Sequence, residues 1–253
     1  MKQKKNVYRY DKIFGLFALM AFLILVLMIY FDYGDKISSM AEDELSNVTF
    51  SSGDVAADEV ETGTKITKDV TVVLNAQLGG SSNGGTAVDG SLEKNQNLEI
   101  TLLIKSKLED ANVNVVLTRD SDEYVSESER VNIANSAKAA LVVSIGRNEY
   151  NSNVSGVESW IYSGEPMEAI DLSNCILNKI ASLGYTNRGI KAGTAKSAES
   201  DYAMNEDISS TSCVLLLGFL SSSEDNTMFT SNEDATAAAI ADGIVEYLLT
   251  QGY

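Results

Sequence analysis

The sequence predicts an α/β domain with a single mixed sheet flanked by helices, preceded by one transmembrane helix and a flexible linker. Three observations carry this. Residues 13–31 form a 19-residue run without a charged side chain. Residues 32–68 are rich in Ser, Asp, Glu and Gly and show no sustained period of 3.6 or 2, the mark of a segment that buries no core. From residue 69 onward, short apolar runs alternate with helical patterns, which is how strands buried beneath helices read.

The apolar run makes roughly 28 Å of helix at about 1.5 Å per residue, enough to span the hydrocarbon core of a bilayer. Lys2, Lys4, Lys5, Arg9 and Lys12 precede it, and Asp32 and Asp35 follow. The positive-inside rule therefore puts the basic tail, residues 1–12, in the cytoplasm and everything after Phe31 outside the plasma membrane. A cleaved signal peptide is the competing reading. Its apolar core is usually about 7–15 residues long, and no A-x-A site follows here, so an uncleaved single-pass anchor is expected. In the acidic linker, residues 32–68, Glu42, Asp43, Glu44, Asp58, Glu59 and Glu61 repel one another. A mobile spacer fits this better than a dock for a basic partner.

The outer domain, residues 69–253, opens with a strand at 69–74. A Gly- and Ser-rich loop at 79–90 leads to an amphipathic helix at 92–108, with Leu98, Leu102, Ile104 and Leu108 on its apolar face. Residues 113–118 read as a second strand and 142–145 as a third. Between them lies a helix at 127–138 whose inner side includes Val131, Ile133 and Ala134. A fourth strand is expected at 157–162. Pro166, the one proline, opens a helix reaching Leu183, as a first-turn residue should. Residues 214–219 form a continuous apolar strand, and a last helix at 235–249 carries Ile240, Ile244, Val245 and Leu248 inward.

The chain has 253 residues, 44% of them hydrophobic, and a formal net charge of -17. That suits one well-buried domain plus an anchor, and it argues against nucleic acid as a partner. Cys175 and Cys213 each sit in an apolar stretch; a disulfide outside the membrane is the competing reading, and two buried thiols used as small apolar side chains are expected. The sequence contains no histidine. Thiol- or hydroxyl-based catalysis with a histidine base is therefore closed to it.

Several motifs recur in a familiar order. V-V-L-N-A-Q-L-G-G-S (72–81) is a strand and glycine turn, and G-S-L-E-K-N-Q-N-L (90–98) a helix start. V-V-L-T-R-D-S-D-E-Y-V-S-E-S-E-R-V-N-I-A-N (115–135), L-V-V-S-I-G-R-N (141–148), S-G-V-E-S-W-I-Y (155–162) and L-L-L-G-F-L-S-S (215–222) follow. Taken together these resemble the zinc-dependent N-acetylmuramoyl-L-alanine amidases of bacterial cell walls, across essentially the whole outer domain. The resemblance implies their fold, an extracytoplasmic place in a bacterial envelope, and peptidoglycan as the surroundings.

The family's chemistry, as the resemblance implies it, holds one zinc between a histidine, a glutamate and a second histidine, with a further glutamate as general base. The metal acidifies a bound water and polarises the amide carbonyl, while the glutamate moves the proton. Carried onto this chain, the first histidine falls on Leu78, the glutamate ligand on Glu93, the second histidine on Gly146 and the general base on Leu216. Only Glu93 survives. The opening aspartate is Asn75, a turn glycine is Gln77, and Arg147 brings positive charge beside Gly146. No zinc and no catalytic residue are expected. Asn75, Gln77, Glu93 and Arg147 remain as possible groove residues, although Glu93 also reads as a first-turn acid that complements the helix dipole.

The retained polar residues read as scaffold. Thr118, Arg119, Asp122 and Arg130 suit a hydrogen-bond and ion-pair network between the second strand and the next helix, and Asn135 a helix C-cap. Three functions follow as alternatives. The first is an inactive homologue that binds peptidoglycan or regulates an envelope partner such as an active amidase. The second is an active amidase after all, and the third a purely structural assembly domain. An apolar floor built on Leu78 and Leu216 leans toward a protein contact.

Overall fold

The computed structural model describes residues 65–150, 154–197 and 199–253. The basic tail, the apolar run at 13–31 and most of the acidic linker lie outside the described residues. Among the described residues no helix is long and apolar enough to cross a membrane.

The elements run β1 (Thr71–Ala76), α1 (Glu93–Asp110), β2 (Asn114–Leu117), α2 (Glu127–Ser136), β3 (Leu141–Asn148), β4 (Val157–Ile161), α3 (Met167–Ala181), β5 (Asn187–Ala192), α4 (Ala203–Glu206), β6 (Thr211–Phe219), α5 (Ser223–Ser231) and α6 (Glu233–Thr250). Six strands form one sheet in the order β2-β1-β3-β6-β4-β5. β1, β2, β3 and β6 run parallel, β4 is antiparallel to β6, and β5 is parallel to β4. The mixed sheet flanked by helices is as expected.

The central strands β1, β3 and β6 are nearly continuous apolar runs because helices cover both of their faces. The two faces are unequal. Val72, Leu74, Val143, Ile145, Leu215 and Leu217 point into the large core beneath α1, α3 and α6. There Gly243 of α6 lets the helices close up, since a Cβ would stand 2.6 Å from the Ile176 Cα of α3. On the opposite face Val73, Val142, Ala134 and Met204 make a small core under α2 and α4. Gly146 and Leu216, which share that opposite face at the far ends of β3 and β6, lie beyond the small core.

Sequence boundaries shift modestly. Ile66, inside the stretch read as linker, is buried and donates its backbone N–H to the Ala111 carbonyl. Pro166 stands at the N-cap of α3, not within its first turn. The α2 start is fixed by a capping box in which Ser126 and Glu129 satisfy each other's backbone N–H groups. Asn135 does not cap that helix. Its side chain instead donates to the Asp207 carbonyl and accepts from the Ser209 N–H, pinning α2 to the chain leading into β6. β5, α4 and α5 were not anticipated, because their segments are polar, short or both. Cys175 and Cys213 are free thiols, and only Cys213 is fully buried, Cys175 being half-buried.

Candidate functional site

In an open α/β sheet, ligands sit at the carboxyl ends of the strands, where connections leave a central strand in opposite directions. Here that place is the end of β1 and β3. β1 is followed through α1 by β2 on one side, and β3 lies on its other side. Residues 77–80 leave β1 at this point, and Gly146 is close to the end of β3.

Two arginines fix the path of the turn. Arg119 donates to the carbonyls of Ala76, Gln77 and Lys94, and Arg130 to those of Ala76 and Leu78. Asn75 is 2% exposed and belongs to the same lattice. Its amide donates to Ser144 at 2.9 Å, and its oxygen accepts from Thr118 at 2.8 Å and Arg130 at 2.6 Å. Asn75 is thus scaffold and does not face the groove, which corrects the sequence reading. Asp122 completes the turn by accepting from the Gly80 N–H and the Lys94 ammonium. Clamped this way, Leu78 has a φ of 65°, a left-handed conformation that costs a leucine about 1–2 kcal/mol.

Glu93 is the first residue of α1 and is buried at 8% exposure. Its two oxygens accept the backbone N–H groups of Gly85 at 3.0 Å and Arg147 at 3.3 Å. The Glu93 N–H in turn donates to the Gly85 carbonyl. Glu93 is therefore a strut between the glycine loop and β3, more than a first-turn acid. Burial pushes its carboxyl above the ordinary value, with the backbone N–H groups working against that rise.

The four positions that the family resemblance assigns to catalysis do converge. A Cβ added at Gly84 would meet both the Leu78 side chain, at 2.3 Å, and the Glu93 carboxylate, at 2.4 Å. A Cβ added at Gly146 would lie 2.5 Å from the Gln77 amide oxygen and 3.3 Å from Leu216. Gln77 thus occupies the space a side chain at position 146 would take. Leu216 is 3% exposed and adjoins that space. Zinc needs three protein donors around an open position. Glu93 is the single donor among these four, and among the described residues no group of three or more His, Cys, Asp or Glu side chains converges. The donor set at this place does not fit zinc.

Arg147 is a second correction. Alternation along β3 sends its side chain to the face opposite Gly146. There it donates to Gln96 at 2.6 Å and Asn226 at 3.3 Å, and its guanidinium lies 4.5 Å from the centre of the Phe229 ring. Burial lowers its pKa to about 10. Its charge is spent on packing α1 and α5, not on the groove.

Beside Leu216 the structure adds a cluster that sequence reasoning missed. Glu158 of β4 pairs with Leu216 across the strands and is 1% exposed. One of its oxygens accepts from Asn148 at 2.7 Å and the Trp160 indole at 2.9 Å. The other accepts from Arg188 at 3.0 Å and from Lys191. Lys191 also lies 5.2 Å from the centre of the Trp160 ring. One signal was available. Glu158 and Trp160, two apart in a strand, must share a face. The cations sit on β5, a segment to which the sequence pattern assigns no element.

Residues 72–246 match the family profile described as N-acetylmuramoyl-L-alanine amidase. An uncharacterized Bacillus subtilis protein, YqiI, is 31% identical over 182 residues, covering 70% of this chain and 84% of its own. The solved N-acetylmuramoyl-L-alanine amidase AmiC2 of Nostoc punctiforme superposes with a TM-score of 0.64 at 30% identity, over 74% of this chain and 99% of that one. The CwlD amidase of Clostridioides difficile, solved in complex with the GerS lipoprotein, gives a TM-score of 0.64 at 25% identity, over 72% and 100%.

Proposed function

The chain belongs to the N-acetylmuramoyl-L-alanine amidase family, and from that premise we propose that it is a non-catalytic member that binds peptidoglycan through the former substrate groove. The observation that carries this is the replacement of three of the four chemical positions by Leu78, Gly146 and Leu216, with the Gln77 amide filling the space in front of Gly146. A leucine neither coordinates zinc nor accepts a proton, and no histidine elsewhere in the chain stands in.

The apolar floor alone would suit a protein surface. Its wall, however, carries Glu158, Trp160, Arg188 and Lys191, and polar groups beside an aromatic ring suit a sugar–peptide ligand better. One observation favours a second reading, a regulator docked on an envelope protein: CwlD, of similar fold, is solved in complex with a lipoprotein.

The charge-free run at 13–31 and the basic residues before it support anchoring by one helix, with the domain outside the cell. Protease added to intact protoplasts is expected to remove the domain, and its protection would reverse the orientation. For the groove, the full-length chain in detergent is expected to co-sediment with purified wall sacculi without releasing stem peptide. Release above a heat-inactivated control would make it an active amidase. Failure to sediment, together with cross-linking in membranes to an envelope protein, would favour the regulator.

A further inference from the structure

Glu158 is a saturated acceptor held by unsaturated donors. Its two oxygens receive four hydrogen bonds, the full complement that a buried carboxylate can use. Arg188, in contrast, reaches it with Nε alone. Of its two terminal nitrogens, one has a contact at 3.5 Å with the Ser155 carbonyl, and the other has no partner among the described residues. A structural arginine–carboxylate pair normally uses the fork in a bidentate way. Here the guanidinium packs over the Phe219 ring, 5.1 Å from its centre, and its terminal nitrogens make no hydrogen bond to the carboxylate. Among the described residues Lys191 likewise spends one donor on Glu158 and keeps two.

Both cations are about one-third exposed, with side chains 33% and 32% accessible, while Glu158 is 1%. Two positive charges therefore face outward over one buried negative charge, on a chain whose overall balance is strongly acidic. A local surplus of that sign beside the Trp160 ring and Leu216 selects an anion with an apolar or sugar-like body.

We propose that Arg188 and Lys191, positioned by Glu158 beside Trp160, form a carboxylate subsite at the wall of the groove, and that it takes a free carboxylate of the peptide borne by wall muramic acid. This rests on the peptidoglycan-binding reading above and names the ligand group that reading would need. Glu158 acts as a positioning residue. It holds the fork and the ammonium side by side, so that little rotamer freedom is lost when the anion arrives.

Trp160 is the only tryptophan in the chain, so its emission reports this place alone. The full-length chain in detergent is titrated with N-acetylmuramoyl-L-alanyl-D-glutamate and with the same compound carrying both glutamate carboxylates as amides. The expected result is a saturable change in emission with the acid and binding weaker by about tenfold or more with the amide. Lys191→Gln, checked for an unchanged melting temperature, should lose the preference for the acid, and Lys191→Arg should keep it. Equal binding of acid and amide, or a preference untouched by a well-folded Lys191→Gln, overturns the carboxylate subsite. If Trp160 responds to neither compound the subsite is also overturned. Sedimentation with sacculi in the same preparation then shows whether the broader reading survives.

Discussion

The amide oxygen of Gln77 lies 2.5 Å from the point at which any side chain at Gly146 would place its Cβ. Two residues thus hold one space, and neither can grow without the other moving. Gln77 is half-buried and its amide is the end of a flexible chain, so relief comes by rotation. Gly146→Ala is therefore expected to cost about 1 kcal/mol, toward the low end of overpacking. In a Gln77→Ala background that cost should vanish. Denaturant melts of the four proteins measure the coupling, and a value below about 0.3 kcal/mol would mean the two sites are independent.

Arg130 supports the turn that presents Leu78. It is buried and donates to Asn75, Thr118 and the carbonyls of Ala76, Leu78 and Val125. Removing it strands those acceptors, so Arg130→Ala should destabilise the domain by about 3–5 kcal/mol. Arg130→Lys should recover little, because an ammonium cannot reproduce the planar fork. A lysine variant with native stability would show that one donor suffices.

How far the sequence could be read differs between core and wall. The runs of β1, β3 and β6 were legible because strands buried on both faces carry little but apolar residues. The fate of Leu78, Glu93, Gly146 and Leu216 was legible through motif order, and the structure brings them together. Arg147 was misplaced because a motif gives sequence neighbours, whereas strand alternation decides which face a side chain serves. Asn75 shares the face of Gly146 but lies deeper along the strands, enclosed by Ser144, Thr118 and Arg130. β5, N-R-G-I-K-A, is half-exposed and interrupted by Gly189 at a φ of 81°. It carried no apolar period, and with it Arg188 and Lys191 were lost from view.

Glu158 gives the site a pH signature. Burial alone would raise its carboxyl, yet hydrogen bonds from Lys191, Trp160 and Arg188 outweigh burial and hold it below the ordinary value of 4.5. Between the two values the unfolded chain binds more protons. The stability that Glu158 contributes is therefore complete above its unfolded value and is lost as pH falls through the lowered one. Glu93 and Asp225 act in the opposite sense, since burial raises both. Comparison with Glu158→Gln cancels them. The melting-temperature gap between the unmodified chain and this variant should be widest near neutral pH and close in the acid range below the ordinary carboxylate value. A gap constant from about pH 7 to about pH 3 would mean that Glu158 is not held ionised.

Metal binding tests the site as a whole. The unmodified chain should hold no stoichiometric zinc and cleave no muramoyl-L-alanine amide. Restoring one histidine should change neither property, because one histidine and Glu93 leave the set a donor short. Leu78→His is well tolerated by the backbone, since histidine enters the left-handed region more readily than leucine. Gly146→His meets the Gln77 amide, so the pair Leu78→His and Gly146→His should bind zinc poorly until Gln77→Gly clears the space. In that triple variant Glu93 still supports Gly85 and Arg147, and each of its oxygens retains a lone pair for the metal. Zinc should then approach one equivalent by mass spectrometry and raise the melting temperature. Turnover should still be missing, because a general base contributes a factor of about 10²–10⁴ and Leu216 offers none. Adding Leu216→Glu is the smallest change expected to release muropeptide from purified wall, although a carboxylate there must be accommodated close to Glu158, its neighbour across the strands. One equivalent of zinc, or amide cleavage above a heat-inactivated control, in the chain without substitutions would overturn the non-catalytic reading.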